Sequence, residues 1–522
     1  MTGPEITPPE NATAGPAGAH VSRVSTEAGW LLPLMVLIAG SFMSVLDISI
    51  INVAVTTIQN EFGAPTSDAQ WVVTAYSLAE GVVVPVSAWL GDRLGLSRVY
   101  ILALLGFAAG SALCGLAWSL ESLVLFRIVQ GLLGGVLPAV TLTILLRIVP
   151  RDRLGSAVGL YGLGTTVAPA VGPALGGYLV EYVNWRLIFF INVPVGIIGT
   201  VAAVLVLPTF PRGSGRRFDV LGFLTVASAL FTLLLALSKA EDWHWTSYRI
   251  LGLLTFSVLA LALFLVIELE VDDPLLDLRV FRYASFTQSL LLNVLLAALL
   301  FAVLFYVPQF LQRVQGLGPL DTGLVLLPPA LVMAVWMPLT GRVSDRIGAR
   351  TPAFIGLTIA TIGTYLLHTI TIDTAREHII WYLMLLYTGL AMGIMPITSA
   401  GFAVIPPAQA SAASAFNNVI QRTAGALGVG VFTAIVTTLQ AQLMAGRAAL
   451  LPANTPIPRL SAAPPHSLDV YAVYQQTDLR VYADAIDNLF LIATAISALA
   501  ALGTLFLRPA PAYSAPDTPS RS

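Results

Sequence analysis

Fourteen apolar runs, each long enough to cross a bilayer, constrain this chain more than any other feature. They occupy roughly 30–54, 69–90, 98–118, 122–146, 154–179, 186–208, 219–238, 249–268, 285–312, 322–341, 352–371, 379–401, 411–440 and 486–507. About 20 apolar residues carry an α-helix across a membrane. Lipid offers the backbone no hydrogen bonds, so such a chain folds as a bundle of helices. The expectation is an all-α polytopic membrane protein. Charged residues make up 10% of the chain, against about 25% in soluble domains. The lone Cys114 rules out a disulfide framework, and the five scattered histidines lack paired metal-ligand spacing, so no metal is expected. Lys239 is the single lysine, so no GxxxxGK[ST] phosphate loop exists and the chain carries no P-loop ATPase of its own. A net charge of −2 argues against nucleic acid as a partner. No nucleophile–base pair stands out, so neither an enzyme nor a cofactor is expected.

Arginine placement orients the spans. With the N-terminus inside, the inner loops at 91–98, 147–153, 209–217, 268–286 and 342–350 hold thirteen arginines. The short outer loops hold about five Lys and Arg together, so the positive-inside rule puts both termini in the cytoplasm. "AWLGDRLGLSR" (88–98) closes span two and "GRVSDRIGAR" (341–350) closes span ten, both reading DRxGxxR on the inner side. Such a repeat marks two pseudo-symmetric six-helix halves. The expected organisation is a disordered cytoplasmic tail at 1–29, an N-terminal bundle at 30–208 and a linker with two extra helices at 209–284. A C-terminal bundle at 285–508 and a tail at 509–522 complete it. The polar stretch 441–485, within the second bundle, is expected to form an external loop or cap.

Ionisable residues at membrane depth are candidates for function. A rise of about 1.5 Å per residue puts Asp47 roughly 25 Å from the inner surface and Arg127 roughly 8 Å from the outer one. Those depths sum to about one bilayer, so the two side chains can pair. Glu80, in "TAYSLAEGVVVP", falls near the middle of span two with no evident cation beside it. A carboxylate in that setting can exchange a proton, or attract a lipophilic cation with help from Tyr76. The spans of the second half hold no deep carboxylate. Their one deep charge is Arg422, with Asn418 one turn earlier on the same face. Arg422 is either a gate residue or an anchor for backbone carbonyls, and the structural role is preferred. Tyr306, Trp336 and Tyr387 can line a cavity for flat substrates, or equally face lipid or a neighbouring helix.

"APAVGPALGG" (168–177) sets Pro169, Gly172, Pro173, Gly176 and Gly177 inside an apolar run. Small residues at this spacing let a second backbone approach closely. Pro173 removes one helix hydrogen bond, and a neighbouring helix can re-satisfy the freed carbonyl. A bent, closely packed helix at the interface of the halves is expected.

These phrases, with "LDISIINVAV", "LVLFRIVQGLLGG", "WRLIFFINVPVG" and "DDPLLDLRVF", closely resemble the major facilitator superfamily over about residues 30–508. The resemblance is nearest to its 14-helix drug:proton antiporters of the EmrB/QacA type. It implies the major facilitator fold: two six-helix bundles plus two inserted helices. It implies that "GPALGG" is the antiporter motif and that Asp47 and Arg127 couple protons. It also implies a cytoplasmic latch in the DRxG loops, with Asp92, Arg93 and Arg98 in one copy and Gly341, Asp345, Arg346 and Arg350 in the other. The first copy departs from the pattern, with Ala88 for the leading glycine and Leu96 and Ser97 for basic residues. Charge pairs within each loop are expected to brace that side shut.

The expectation is therefore a proton-coupled efflux antiporter in the cytoplasmic or inner membrane, exporting amphipathic or cationic drug-like compounds by alternating access. A periplasmic adaptor protein would join it only where the envelope has two membranes. The alternative is the same mechanism serving one endogenous lipid, siderophore or natural product. A nutrient symporter or facilitator is disfavoured by "GPALGG".

Overall fold

The computed structural model describes residues 29–210, 218–271, 273–449 and 466–507. The expected tails at 1–29 and 509–522 lie almost wholly outside these residues. Fourteen helices are long and apolar enough to span a membrane, and no strand occurs among the described residues. They are α1 Leu31–Phe62, α2 Trp71–Leu94, α3 Leu96–Gly115, α4 Leu120–Ile148, α5 Arg151–Tyr182, α6 Leu187–Val206, α7 Val220–Ala240 and α8 Tyr248–Glu270. The second set is α9 Ala284–Val314, α10 Leu320–Ile347, α11 Arg350–His368, α12 Arg376–Ala403, α13 Pro407–Ala445 and α14 Thr477–Thr504.

The repeat read from the DRxG loops appears in the packing. In the first six spans α1 packs on α5, α2 on α4, and α3 on both α4 and α6. In the last six α9 packs on α13, α10 on α12, and α11 on both α12 and α14. The same partners meet in each set. The halves then join by exchanging equivalent helices: α5 lies on α10, and α2 lies on α13. The inserted helices α7 and α8 pack on each other, and α7 also touches both α2 and α13. It therefore covers one of the two seams between the halves.

Burial follows the solvent. Long apolar side chains such as Leu205, Leu259, Val335 and Leu499 stand exposed on the bundle exterior, where lipid rather than water is the favourable neighbour. The structure corrects the segment 441–485. The thirteenth helix continues to Ala449 and the fourteenth starts at His466, so most of that segment extends two helices. Residues 450–465 lie outside the described set.

Candidate functional site

Asp47 in α1 and Arg127 in α4 are both fully buried. Arg127 Nη1 donates to Asp47 Oδ2 at 2.5 Å. Asp47 Oδ1 accepts from Gln130 Nε2 at 3.0 Å and from Asn192 Nδ2 of α6 at 3.0 Å. Gln130 Oε1 accepts from Arg127 Nη1 at 2.9 Å. Asn192 Nδ2 also donates to Ser111 Oγ of α3 at 3.1 Å. A buried charge is tolerated when it is paired and hydrogen-bonded, and Asp47 has three donors. One carboxylate thereby ties α1, α3, α4 and α6 together. Gln130 and Asn192 carry no charge, so depth arguments pass over them. Their signal is an amide inside an otherwise apolar phrase, "RIVQG" and "FFINVPVG".

Arg127 Nε donates to the Val72 carbonyl at 3.1 Å, and its guanidinium lies 4.0 Å from the centre of the Tyr76 ring. Tyr76 is fully buried there rather than open to a substrate. Its hydroxyl is 3.4 Å from Ser44 Oγ, and the Ser44 hydroxyl, with one proton to give, lies 3.2 Å from both Glu80 Oε1 and the Gly134 carbonyl. Tyr76 and Ser44 thus connect the Asp47 network to Glu80.

The absence of a cation beside Glu80 is overturned. Arg422 of α13 grips it with two hydrogen bonds, Nη1 to Oε2 at 2.5 Å and Nη2 to Oε1 at 2.6 Å. This corrects Arg422 as well: its partner is a carboxylate in the other half, not backbone carbonyls. Asn418 Nδ2 donates within its own helix to the Ser414 carbonyl, at 2.9 Å.

The "GPALGG" helix is closely packed, with its glycines toward α1 of the same half. A Cβ on Gly172 would stand 2.6 Å from Ser49 Cβ, and one on Gly176 would stand 2.9 Å from the Ile50 carbonyl. Gly177 faces open space. The same helix also meets the other half, at the motif itself, where a Cβ on Gly323 of α10 would lie 3.7 Å from Ala174 Cβ, and more tightly further along, where one on Gly159 would lie 2.6 Å from the Met337 carbonyl. Pro173 has no N–H for the Pro169 carbonyl four residues back. Ser49 Oγ donates to that carbonyl at 3.0 Å. Pro138 likewise frees the Gly134 carbonyl, which lies 3.2 Å from Ser44 Oγ and shares that hydroxyl's proton with Glu80 Oε1. Two serines of α1 serve the backbone groups that two prolines orphan.

The DRxG loops behave differently from the expected arginine pairs. Asp345 reaches across the halves to the start of the α-helical part of α5. Its Oδ1 accepts from Gly155 N at 2.8 Å, and its Oδ2 from Ser156 N at 2.9 Å and Ser156 Oγ at 2.7 Å. Free N–H groups and the helix dipole make such a terminus an anion site. Gly341 rests against the Gly155 carbonyl, with no room for a side chain. Among the described residues Arg346 and Arg350 make no ion pair with Asp345, and both are exposed. In the other copy Asp92 faces Arg147 of α4 at 3.9 Å. Arg93 lies over the Trp89 ring at 5.3 Å, and Arg98 is exposed. Of the two loop aspartates, Asp345 makes the shorter contacts, and it makes them across the halves.

A cavity of about 130 Å³ lies between the halves, with Tyr161, Asn293, Met337, Thr398, Asn418 and Gln421 in its wall. Drug-sized ligands need about 300 Å³ or more, so loading one requires the halves to part. The aromatics expected at such a cavity lie elsewhere. The Tyr306 hydroxyl donates to Thr433 Oγ1 at 2.7 Å, Tyr387 is buried in the core, and Trp336 packs against the core from its edge.

A two-bundle fold with buried charge at the joint defines a membrane transporter, not an enzyme. The chain belongs to the Major Facilitator Superfamily, whose family model matches residues 37–429. It is 32% identical over 426 residues to the tetracenomycin C resistance and export protein of Streptomyces glaucescens, covering 81% of this chain and 79% of that one. It is 30% identical over 405 residues to the multidrug export protein EmrB of Escherichia coli K12, covering 76% and 78%. The proton:xylose symporter XylE superposes with a TM-score of 0.60 at 13% identity, covering 92% of this chain and 96% of that one. That likeness concerns the fold.

Proposed function

We propose that the chain is a proton-coupled exporter of amphipathic drug-like compounds, working by alternating access between its halves, with both termini in the cytoplasm. The observation that carries this reading is the Asp47 network. The Asp47 carboxylate of α1 bonds to α4 and α6, reaches α3 through Asn192, and connects through Tyr76 and Ser44 to the ion pair between the halves. Protonating Asp47 removes the charge that Arg127 balances, so proton binding changes the packing of the bundle that must move. The drug and multidrug export proteins among its relatives support efflux as the direction. Export of one natural product is the second reading, favoured by the tetracenomycin C exporter among those relatives. The test is dye accumulation in inverted membrane vesicles with an imposed pH gradient. The reading expects accumulation that collapses when a protonophore is added, and gradient-independent accumulation would refute it.

A further inference from the structure

We propose that Arg422 sets the charge preference of the central cavity. It fills Glu80 from the opposite half, excludes cations, and leaves a site for uncharged, flat, hydrogen-bonding compounds. This rests on the exporter reading and narrows its cargo.

Glu80 is held by Arg422, the residue that follows the cavity-wall residue Gln421, and both its oxygens are occupied. Oε2 takes Arg422 Nη1, while Oε1 takes Arg422 Nη2 and Ser44 Oγ. The planar guanidinium fork matches a carboxylate in a way that a single ammonium cannot. Glu80 is fully buried, whereas Arg422 is 25% exposed, so the arginine is the lid and the glutamate lies beneath it. The inserted α7 covers this seam, and Leu234 packs so tightly on Gly81 that an added Cβ would stand 2.5 Å away. Asp47 is saturated and buried behind Tyr76.

The cavity wall next to this pair contains no Asp, Glu, Lys or Arg among the described residues. Asn418 and Gln421, one turn and one residue before Arg422, stand in it with Asn293, Asn417 and Tyr161. Amides and hydroxyls offer donors and acceptors to carbonyl and hydroxyl groups of a neutral ligand. Met333, Met337 and Met395 supply adaptable contacts for a flat apolar face. A cationic ligand would have to displace Arg422 and strand its charge, which is discrimination by a built-in penalty.

Equilibrium dialysis of the purified full chain tests this with two probes, tetraphenylphosphonium as the lipophilic cation and quinizarin as the uncharged flat compound. Wild type is expected to bind quinizarin and to bind the cation weakly. Arg422→Gln bares Glu80 and is expected to bind tetraphenylphosphonium at least about tenfold more tightly, a change of roughly 1.4 kcal/mol. Arg422→Lys should still exclude the cation. The double variant Glu80→Gln with Arg422→Gln should return cation affinity to the wild-type level. It carries no stranded charge, so it reports even where the single variant fails to fold. Equal cation affinity in wild type and Arg422→Gln, tighter cation than quinizarin binding in wild type, or a gain that survives in the double variant would overturn the proposal. Binding needs no gradient, so failure of the exporter reading would show separately, as proteins that obey this rule yet move neither probe in vesicles.

Discussion

Asp345 holds Ser156 twice, through the backbone N–H at 2.9 Å and the hydroxyl at 2.7 Å, and so joins α10 of one half to α5 of the other. A carboxylate on a helix N-terminus gains from free N–H donors and from the dipole together. Asp345→Asn keeps the shape and removes the charge. It should weaken closure of the arginine-rich side and lower the transport rate at least about tenfold, since hydrogen bonds to charged groups contribute about 1.5–3 kcal/mol. Asp92→Asn is the comparison in the other loop, where the carboxylate faces Arg147 at 3.9 Å, and this change should cost less than Asp345→Asn. Transport rates of the two variants at matched expression check this ranking.

Gly172 and Gly177 occupy one motif but different surroundings. Gly172→Leu should leave the protein detectable in the membrane and abolish transport, because α1 leaves no space for a side chain there. Gly177→Ala should transport normally, because nothing lies within 4 Å of the added carbon. Equal loss in both would show that the motif acts by something other than packing on α1.

How much of this was legible in the sequence depends on the range of the interaction. Fourteen spans and a twofold repeat follow from hydropathy and the DRxG spacing, because lipid imposes length and polarity locally. Asp47 and Arg127 were brought together by depth alone. The same depth argument applies to Glu80 and Arg422, but those residues belong to different halves. Nothing local says that α2 faces α13; that contact comes from the exchange of equivalent helices between bundles. The destination of Asp345 was hidden for a related reason. Arginines nearby in sequence suggested ion pairs, whereas the partner is a backbone terminus some 190 residues away. Residues 441–449 and 466–485 are helical although polar, because hydropathy reports suitability for lipid and not helix formation.

Ser49→Ala removes the donor that satisfies the Pro169 carbonyl. Hydrogen bonds between membrane helices average about 0.6 kcal/mol and reach about 1.7. The variant should therefore lose a small, measurable amount of thermal stability. Pairing it with Pro173→Ala, which restores the N–H that the carbonyl lacks, should recover most of the loss. Thermal melts of the purified single and double variants check the coupling. Additive losses would mean that Ser49 serves another purpose.

If Asp47 carries the proton, a vesicle assay of Asp47→Asn beside the double variant Asp47→Asn with Arg127→Gln separates that role from a structural one. The single change strands Arg127 in a buried site, at a cost of roughly 3–5 kcal/mol, so lost activity alone would not separate coupling from folding. The double change removes both charges and should restore stability. Uphill, pH-driven efflux is then measured in each, together with downhill exchange of the same compound. The account predicts that the double variant is stable and exchanges compound downhill, yet never concentrates it against a gradient at any pH. Wild-type pH-driven accumulation in either variant would contradict it.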